Sequence, residues 1–189
     1  MVEIALVRHG ETDWNVQGKM QGHRDIPLNE RGIRQADRLA ARLAAGRWDG
    51  VFSSDLSRAA MTAGRVASRA GVPAVVLDAR LRERHYGRLE GTTEEERVRL
   101  YGPNWRRLLH GTESDGELFA RAESFLGELA GRKEGRFIVV THGGWIRCVF
   151  RRLFPDFADI RPGNTSLSLL EHRGGIWRCL LAGDMSHLD

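Results

Sequence analysis

The chain has 189 residues, of which 41% are hydrophobic and 29% charged, a balance typical of a water-soluble globular protein. This length suffices for one sizeable core, and we expect a single domain over residues 1–189. The net charge is +4, but no run of five basic residues occurs and no aromatic residues alternate with the basic ones. That distribution argues against nucleic-acid binding.

No apolar run approaches the roughly 20 residues that a membrane helix needs, so we expect no membrane partner. The strand-like run Val2–Val7 leads directly into chemically active residues, which argues against a cleavable signal peptide. Cys148 and Cys179 fit neither a metal site nor a disulfide framework. A cytoplasmic location is therefore the default expectation.

Hydrophobic periodicity predicts strands alternating with helices along the first part of the chain. The predicted elements are a strand over Val2–Arg8, a helix over 29–45 with Asn29 as N-cap, a strand over Asp49–Ser53, a helix over Leu56–Ala70 and a strand over Ala74–Leu77.

The second part of the chain starts with a polar, irregular stretch over residues 92–113, in which we expect one or two short helices. The elements predicted after it are a helix over 116–130, a strand over Arg136–Thr141, a helix over Trp145–Leu153 and a hairpin of Thr165–Glu171 with Ile176–Leu181. The alternation indicates a layered α/β domain with a largely parallel sheet, whose ligands bind outside the carboxyl ends of the strands.

Three segments carry residues suited to binding and attacking an anion. In LVRHGETDWN (6–15), Arg8 and His9 end a strand, where an unpaired buried charge is costly and an anion would compensate it. In SSDLSRAAMTA (53–63), Arg58 lies in the first turn of a helix, a position that favours anions. In VVTHGGWIR (139–147), His142 follows a strand, and Gly143 after it permits close backbone approach.

Together with QGHRDIPLNERG (21–32) and LRERHYGRLEG (81–91), these segments resemble the histidine phosphatase superfamily in its phosphoglycerate-mutase-like branch. The resemblance covers nearly the whole chain. It implies a three-layer α/β/α sandwich with a mostly parallel central sheet. It also implies that Asn164-Thr165-Ser166 begins a strand near the site.

The resemblance implies a role for five residues. His9 matches the phosphorylated histidine, Arg8 and Arg58 match phosphate-binding arginines, Glu83 matches the proton donor, and His142 matches the second active-site histidine. The implied mechanism is phosphoryl transfer to a neutral His9, followed by attack of water on the phosphohistidine. Candidates for further substrate contacts are Asn15, Gln21, Gly22 and Gly143. No metal and no cofactor are expected, since neither H-E-x-x-H nor a carboxylate cluster occurs.

Several alternatives stay open at this level. The alternative for Glu83 is a surface carboxylate that pairs with Arg82 or Arg84. The alternative for Arg58 is a solvent-exposed arginine on a helix. The first hypothesis for function is a phosphatase of a small phosphorylated metabolite, similar to compact members such as the α-ribazole phosphatases. The runner-up is a cofactor-dependent phosphoglycerate mutase, and the third is a non-catalytic phosphate-binding module. The sequence does not decide between a monomer and a homodimer.

Overall fold

The computed structural model describes residues 1–108 and 110–189. Within this part of the chain, six strands form one sheet in the order β3-β2-β4-β1-β5-β6. The strands are β1 (Val2–Arg8), β2 (Gly50–Ser53), β3 (Val75–Leu77), β4 (Gly135–Thr141), β5 (Leu167–Arg173) and β6 (Ile176–Asp184). The first four run parallel, and the hairpin of β5 and β6 joins β1 antiparallel.

Helices cover both faces of this sheet. They are α1 (Asp13–Val16), α2 (Glu30–Leu43), α3 (Ser57–Ala70), α4 (Glu94–Tyr101), α5 (Asp115–Ala130) and α6 (Gly143–Leu153). Side chains of a strand alternate between faces, so Ala5 and Val7 pack with α2 and α3 while Ile4 and Leu6 pack with α5 and α6. The predicted three-layer α/β/α sandwich with a mostly parallel sheet is confirmed.

Local sequence explains most element boundaries. The Asn29 side chain accepts a hydrogen bond of 2.8 Å from the Gly32 amide at the start of α2, and Gly71 ends α3 with a φ of 70°. Several boundaries differ from the prediction by one to three residues, and the largest differences at the start of an element are of two residues. The strand expected from Thr165 begins at Leu167, because Thr165 adopts a φ of 57° that no strand allows. Helix α6 begins at Gly143 rather than Trp145.

The register of the sheet brings the ends of three strands together. Arg8 pairs with Thr141, so that His9 and His142 leave neighbouring strands side by side. Ser53 pairs with Val140 on the other side of β4, and the chain then turns into α3. The carboxyl edge of β2, β4 and β1 therefore gathers all three segments that the sequence analysis singled out. None of the helices described here has the length and apolar character needed to cross a bilayer.

Candidate active site

His9 lies directly after β1 and is only 2% exposed. Its Nδ1 is 2.7 Å from the Gly10 carbonyl oxygen, which can only accept, so Nδ1 carries the proton in the neutral ring and Nε2 stays free. Burial lowers the pKa of His9 well below its usual value, and the charges of Arg58 and Arg8 lower it further. His9 is thus held neutral with one nitrogen available for attack.

His142 lies beside His9, with 5.1 Å between the ring centroids. It is completely buried, and neither ring nitrogen has a hydrogen-bond partner among the described residues. Burial, followed by the charges of Arg58 and His9, lowers the pKa of His142 well below its usual value. A buried polar ring without a partner is costly, and an oxygen of a bound phosphoryl group would remove that cost.

Arg8 and Arg58 are the two cations nearest this pair. Backbone carbonyls fix both guanidinium groups: Arg8 donates to Pro162 at 2.8 Å, while Arg58 donates to Gly22 and to Arg24, each at 2.8 Å. In each arginine the buried Nε has no partner among the described residues. Burial lowers the pKa of Arg8, and it lowers that of Arg58 to about 10, so both stay charged at neutral pH. An anion would compensate these two charges.

The Glu83 side chain faces the start of α6, and its carboxylate also accepts a hydrogen bond of 2.8 Å from the Arg84 amide. Its carboxylate accepts hydrogen bonds from the amides of Gly144 at 3.0 Å and Trp145 at 3.2 Å. The surface pairing that the sequence left open does not occur, because Arg82 pairs with Asp55 and Arg84 with Asp115. A helix N-terminus favours a carboxylate at this place, which also explains why α6 begins two residues earlier than predicted.

Gly144 fits this arrangement only because it lacks a side chain. A Cβ there would overlap the Glu83 carboxylate and would lie 2.9 Å from the Tyr86 hydroxyl. At Gly143 a Cβ would come within 3.4 Å of Arg8 Nε, which is tolerable. From the sequence, Gly143 was expected to permit the close approach of a ligand. The group that approaches Gly144 most closely is the Glu83 carboxylate.

The candidates for substrate contact in the segment after His9 form a hydrogen-bonded loop. Asn15 Oδ1 accepts from the Thr12 amide at 3.1 Å, and Gln21 Oε1 accepts from the Thr12 hydroxyl at 3.0 Å. Gly22 has a φ of 54°, which turns its carbonyl toward Arg58. In this structure Asn15 and Gln21 thus brace the loop, and Gly22 orients an arginine.

A cavity of about 740 Å³ opens beside the buried pair of histidines. Arg8 and Glu83 lie in its lining, together with Gly143 and Gly144, whereas His9, His142 and Arg58 lie behind them. The rest of a molecule whose phosphoryl group bound between the arginines would extend into this cavity. No group of three or more possible metal ligands (His, Cys, Asp or Glu) occurs within residues 1–108 and 110–189.

The arrangement agrees with comparisons to known proteins. The profile of the Histidine phosphatase superfamily (branch 1) matches residues 4–185. The chain belongs to this superfamily. It is 36% identical to phosphoglycerate mutase-like protein 4 of Arabidopsis thaliana over 99% of this chain and 87% of that protein. It is also 36% identical to a metal-independent phosphoserine phosphatase of the same plant, over 100% of this chain and 84% of that protein.

A solved structure adds a similar fold. A mutant phosphoserine phosphatase from Entamoeba histolytica, in complex with phosphoserine, is 30% identical and superposes with a TM-score of 0.85, covering 100% of both chains. The resemblance predicted from separated motifs is thus confirmed at the level of the family and the fold.

Three further residues contact the groups of the site. Thr62 and Arg121 were not singled out from the sequence, whereas Asn164 was expected only to begin a strand near the site. The Thr62 hydroxyl donates to the Arg58 carbonyl at 2.8 Å and accepts from the Gly10 amide at 3.1 Å, which links α3 to the loop that follows His9. The Asn164 amide group donates to the His9 carbonyl at 3.1 Å. Arg121 donates to the Glu83 carbonyl at 2.9 Å. Thr62, four residues after Arg58, was open to a helical-spacing argument, but Arg121 carried no sequence signal.

Proposed function

We propose that the protein is a metal-independent phosphatase that hydrolyses a small phosphorylated metabolite through a phosphohistidine on His9. The observation that carries the proposal is a neutral His9 with a free Nε2 beside the buried Arg58, the partly exposed Arg8 and the unpartnered His142. The names of the relatives, a metal-independent phosphoserine phosphatase among them, support the same reaction class.

In the first step, Nε2 of His9 attacks phosphorus as the bond between phosphorus and the ester oxygen breaks. Arg8, Arg58 and His142 donate hydrogen bonds to the non-bridging oxygens, whose charge spreads in the transition state. Because the neutral ring of His142 has a single N–H, it contributes one such bond. Glu83, which must carry a proton at this stage, gives it to the departing oxygen.

In the second step, a water molecule takes the place of the departed alcohol. Glu83 accepts a proton from this water as its oxygen attacks phosphorus, and the bond between phosphorus and Nε2 breaks. Inorganic phosphate leaves, and neutral His9 and protonated Glu83 are restored. Since the cavity next to Glu83 is large, water has a route to the phosphohistidine once the alcohol departs.

A phosphoglycerate mutase is the second candidate, and the relative named phosphoglycerate mutase-like favours it. A mutase must return the phosphoryl group to a second hydroxyl before water arrives. The compact segment between Glu83 and His142 leaves room for water in the cavity beside Glu83, which favours hydrolysis.

The test is a comparison of p-nitrophenyl phosphate with 3-phosphoglycerate plus a trace of 2,3-bisphosphoglycerate, both in EDTA, with a His9→Ala variant alongside. We expect phosphate release that persists in EDTA and is lost in the variant. Fast formation of 2-phosphoglycerate with little free phosphate would establish the mutase instead. Absence of either reaction across a panel of metabolites would favour a non-catalytic binding module.

A further inference from the structure

Three arginines line the cavity beyond the catalytic residues. Arg147 and Arg151 belong to α6 and lie four residues apart, so they are neighbours on one face of the helix. Arg161 follows α6 in the chain and lines the same cavity. All three are exposed. The mechanism of phosphoryl transfer uses none of them.

These arginines have no salt bridge with any carboxylate among residues 1–108 and 110–189. Many other arginines of the chain do, including Arg80 and Arg82. Besides Glu83, the cavity lining has one carboxylate, that of Asp159. The cavity wall formed by these arginines therefore carries more positive than negative charge, and their guanidinium groups remain available to an anion.

The position of Glu83 decides which part of a substrate meets this wall. Given the proposed function, Glu83 protonates the ester oxygen, so the alcohol portion of the substrate must extend from Glu83 into the cavity. Arg147 lies one helical turn beyond Gly143, about 6 Å along the axis at 1.5 Å per residue. Its long side chain thus reaches groups a few bonds away from the ester oxygen.

We propose that Arg147, Arg151 and Arg161 bind a second anionic group on the alcohol portion of the substrate, a carboxylate or a further phosphate. This inference rests on the proposed phosphatase function and specifies its substrate class. Guanidinium groups suit the task because they stay charged and pair with planar carboxylates or phosphates through two hydrogen bonds. Substrates without a second anion leave this wall unused and gain nothing from it.

The test uses pairs of substrates that differ in one anionic group. Phosphoserine is compared with phosphoethanolamine, and 3-phosphoglycerate with glycerol 3-phosphate, where the carboxylate is removed or replaced. Fructose 1,6-bisphosphate and fructose 6-phosphate form the pair for a second phosphate. Each is assayed with the wild type, with R147Q/R151Q and with R161Q, and p-nitrophenyl phosphate reports the reaction itself.

Arg152→Gln is the matched control. Arg152 follows Arg151 on the same helix, is exposed and lies over the ring of Phe119, outside the cavity lining. Its replacement removes one positive charge from the same helix, against two in R147Q/R151Q, so half or more of any general loss of attraction for anions appears in it as well.

We expect the wild type to prefer the more anionic member of at least one pair. In R147Q/R151Q, kcat/KM for that member falls about 10- to 100-fold, the usual effect of losing a charged hydrogen bond. The values for its partner, for p-nitrophenyl phosphate and for the Arg152→Gln control stay within about threefold of the wild type, since only non-specific surface charge changes there. R161Q follows the same pattern with a smaller loss. A loss confined to the phosphoserine or 3-phosphoglycerate pair would identify the second anion as a carboxylate, and a loss in the fructose phosphate pair would identify it as a phosphate.

Two results would overturn the inference while leaving the phosphatase intact. One is hydrolysis of p-nitrophenyl phosphate with no preference within any pair. The other is an equal loss for both members of a pair in R147Q/R151Q, which would indicate a structural role for these arginines. Failure to hydrolyse any substrate, p-nitrophenyl phosphate included, would instead overturn the proposed function and the inference with it.

Discussion

Replacing Gly144 with alanine displaces the Glu83 carboxylate while leaving the rest of the site in place. The added Cβ would overlap Oε1 of Glu83 and lie 3.1 Å from its Cδ and 2.9 Å from the Tyr86 hydroxyl. To restore an ordinary contact the carboxylate has to withdraw by about 1 Å, and a displacement of that size costs on the order of 100-fold in rate when it misplaces a reacting group.

The loss should depend on how much the leaving group needs a proton. Alkyl phosphates leave as strongly basic alkoxides, so we expect their kcat/KM to fall on the order of 100-fold or more in Gly144→Ala. p-Nitrophenolate is a weak base that departs without full protonation, so kcat/KM for p-nitrophenyl phosphate should fall less than about 10-fold in Gly144→Ala. Glu83→Gln should reproduce the same contrast, because it removes the proton but keeps the shape.

Stability provides the control for this experiment. Alanine in place of a helical glycine raises helix propensity by up to about 1 kcal/mol, which offsets part of the strain from the overlap. Gly64→Ala, in α3 with no atom within 4 Å of the added Cβ, gains the same propensity and should keep full activity. Equal losses for alkyl and p-nitrophenyl phosphates in Gly144→Ala, with an unchanged melting temperature, would refute the assignment of Glu83 as the proton donor.

Three further predictions concern the buried groups. In His9→Asn, turnover should vanish, while vanadate or phosphate should still bind and raise the melting temperature. EDTA-resistant hydrolysis above about a thousandth of the wild-type rate would contradict the role of His9 as nucleophile. Because the pKa of His142 is lowered in the folded protein, the unfolded chain binds a proton at this residue at higher pH than the folded protein does. The stability that depends on the neutral ring is therefore present above about pH 6.5 and is lost as pH falls. In urea titrations between about pH 6 and 5, His142→Gln should reduce the slope of the unfolding free energy against pH by about 1 kcal/mol per pH unit, and an unchanged slope would refute burial as a neutral ring. In Gly22→Ala, a residue with a side chain would have to adopt a φ of 54°, and its Cβ would overlap Glu90. We therefore expect the free energy of unfolding in the same titrations to fall by about 1 kcal/mol or more, and phosphate binding to weaken because the Gly22 carbonyl orients Arg58. Wild-type stability of this variant would contradict the prediction.

The sequence predicts the sheet and the place of His9 and His142 at its edge well, because both depend on local patterns. A short apolar run that ends in Arg8 and His9 specifies a buried strand and its exit, and the same holds for the strand before His142. Once these strands are parallel neighbours, their carboxyl ends must meet at one edge. The 5.1 Å between the two histidine rings follows from the pairing of Arg8 with Thr141.

The sequence does not predict how the loops orient the other groups. Glu83 reaches the amide of Gly144 across 61 positions of sequence, and apart from the family resemblance the local pattern of LRERHYG does not distinguish it from an ordinary surface carboxylate. The Gly22 carbonyl orients Arg58 through a backbone conformation that only the folded loop defines. In a chain whose 29 basic residues are nearly all arginine, composition alone also cannot tell Arg147 from a solvated helix residue. Such long-range contacts depend on the packing of the whole layer.

Burial accounts both for the neutral state of His9 and for the attraction of an anion to the site. Removing water from the site destabilises the charged imidazolium, which keeps His9, the proposed nucleophile, neutral. It also strengthens the pull of Arg8 and Arg58 on an anion, because their charges are screened less there than at the surface. A substitution that admits water beside Arg58 should therefore raise the pKa of His9 and weaken phosphate binding together. Two separate substitutions would be needed to change one without the other.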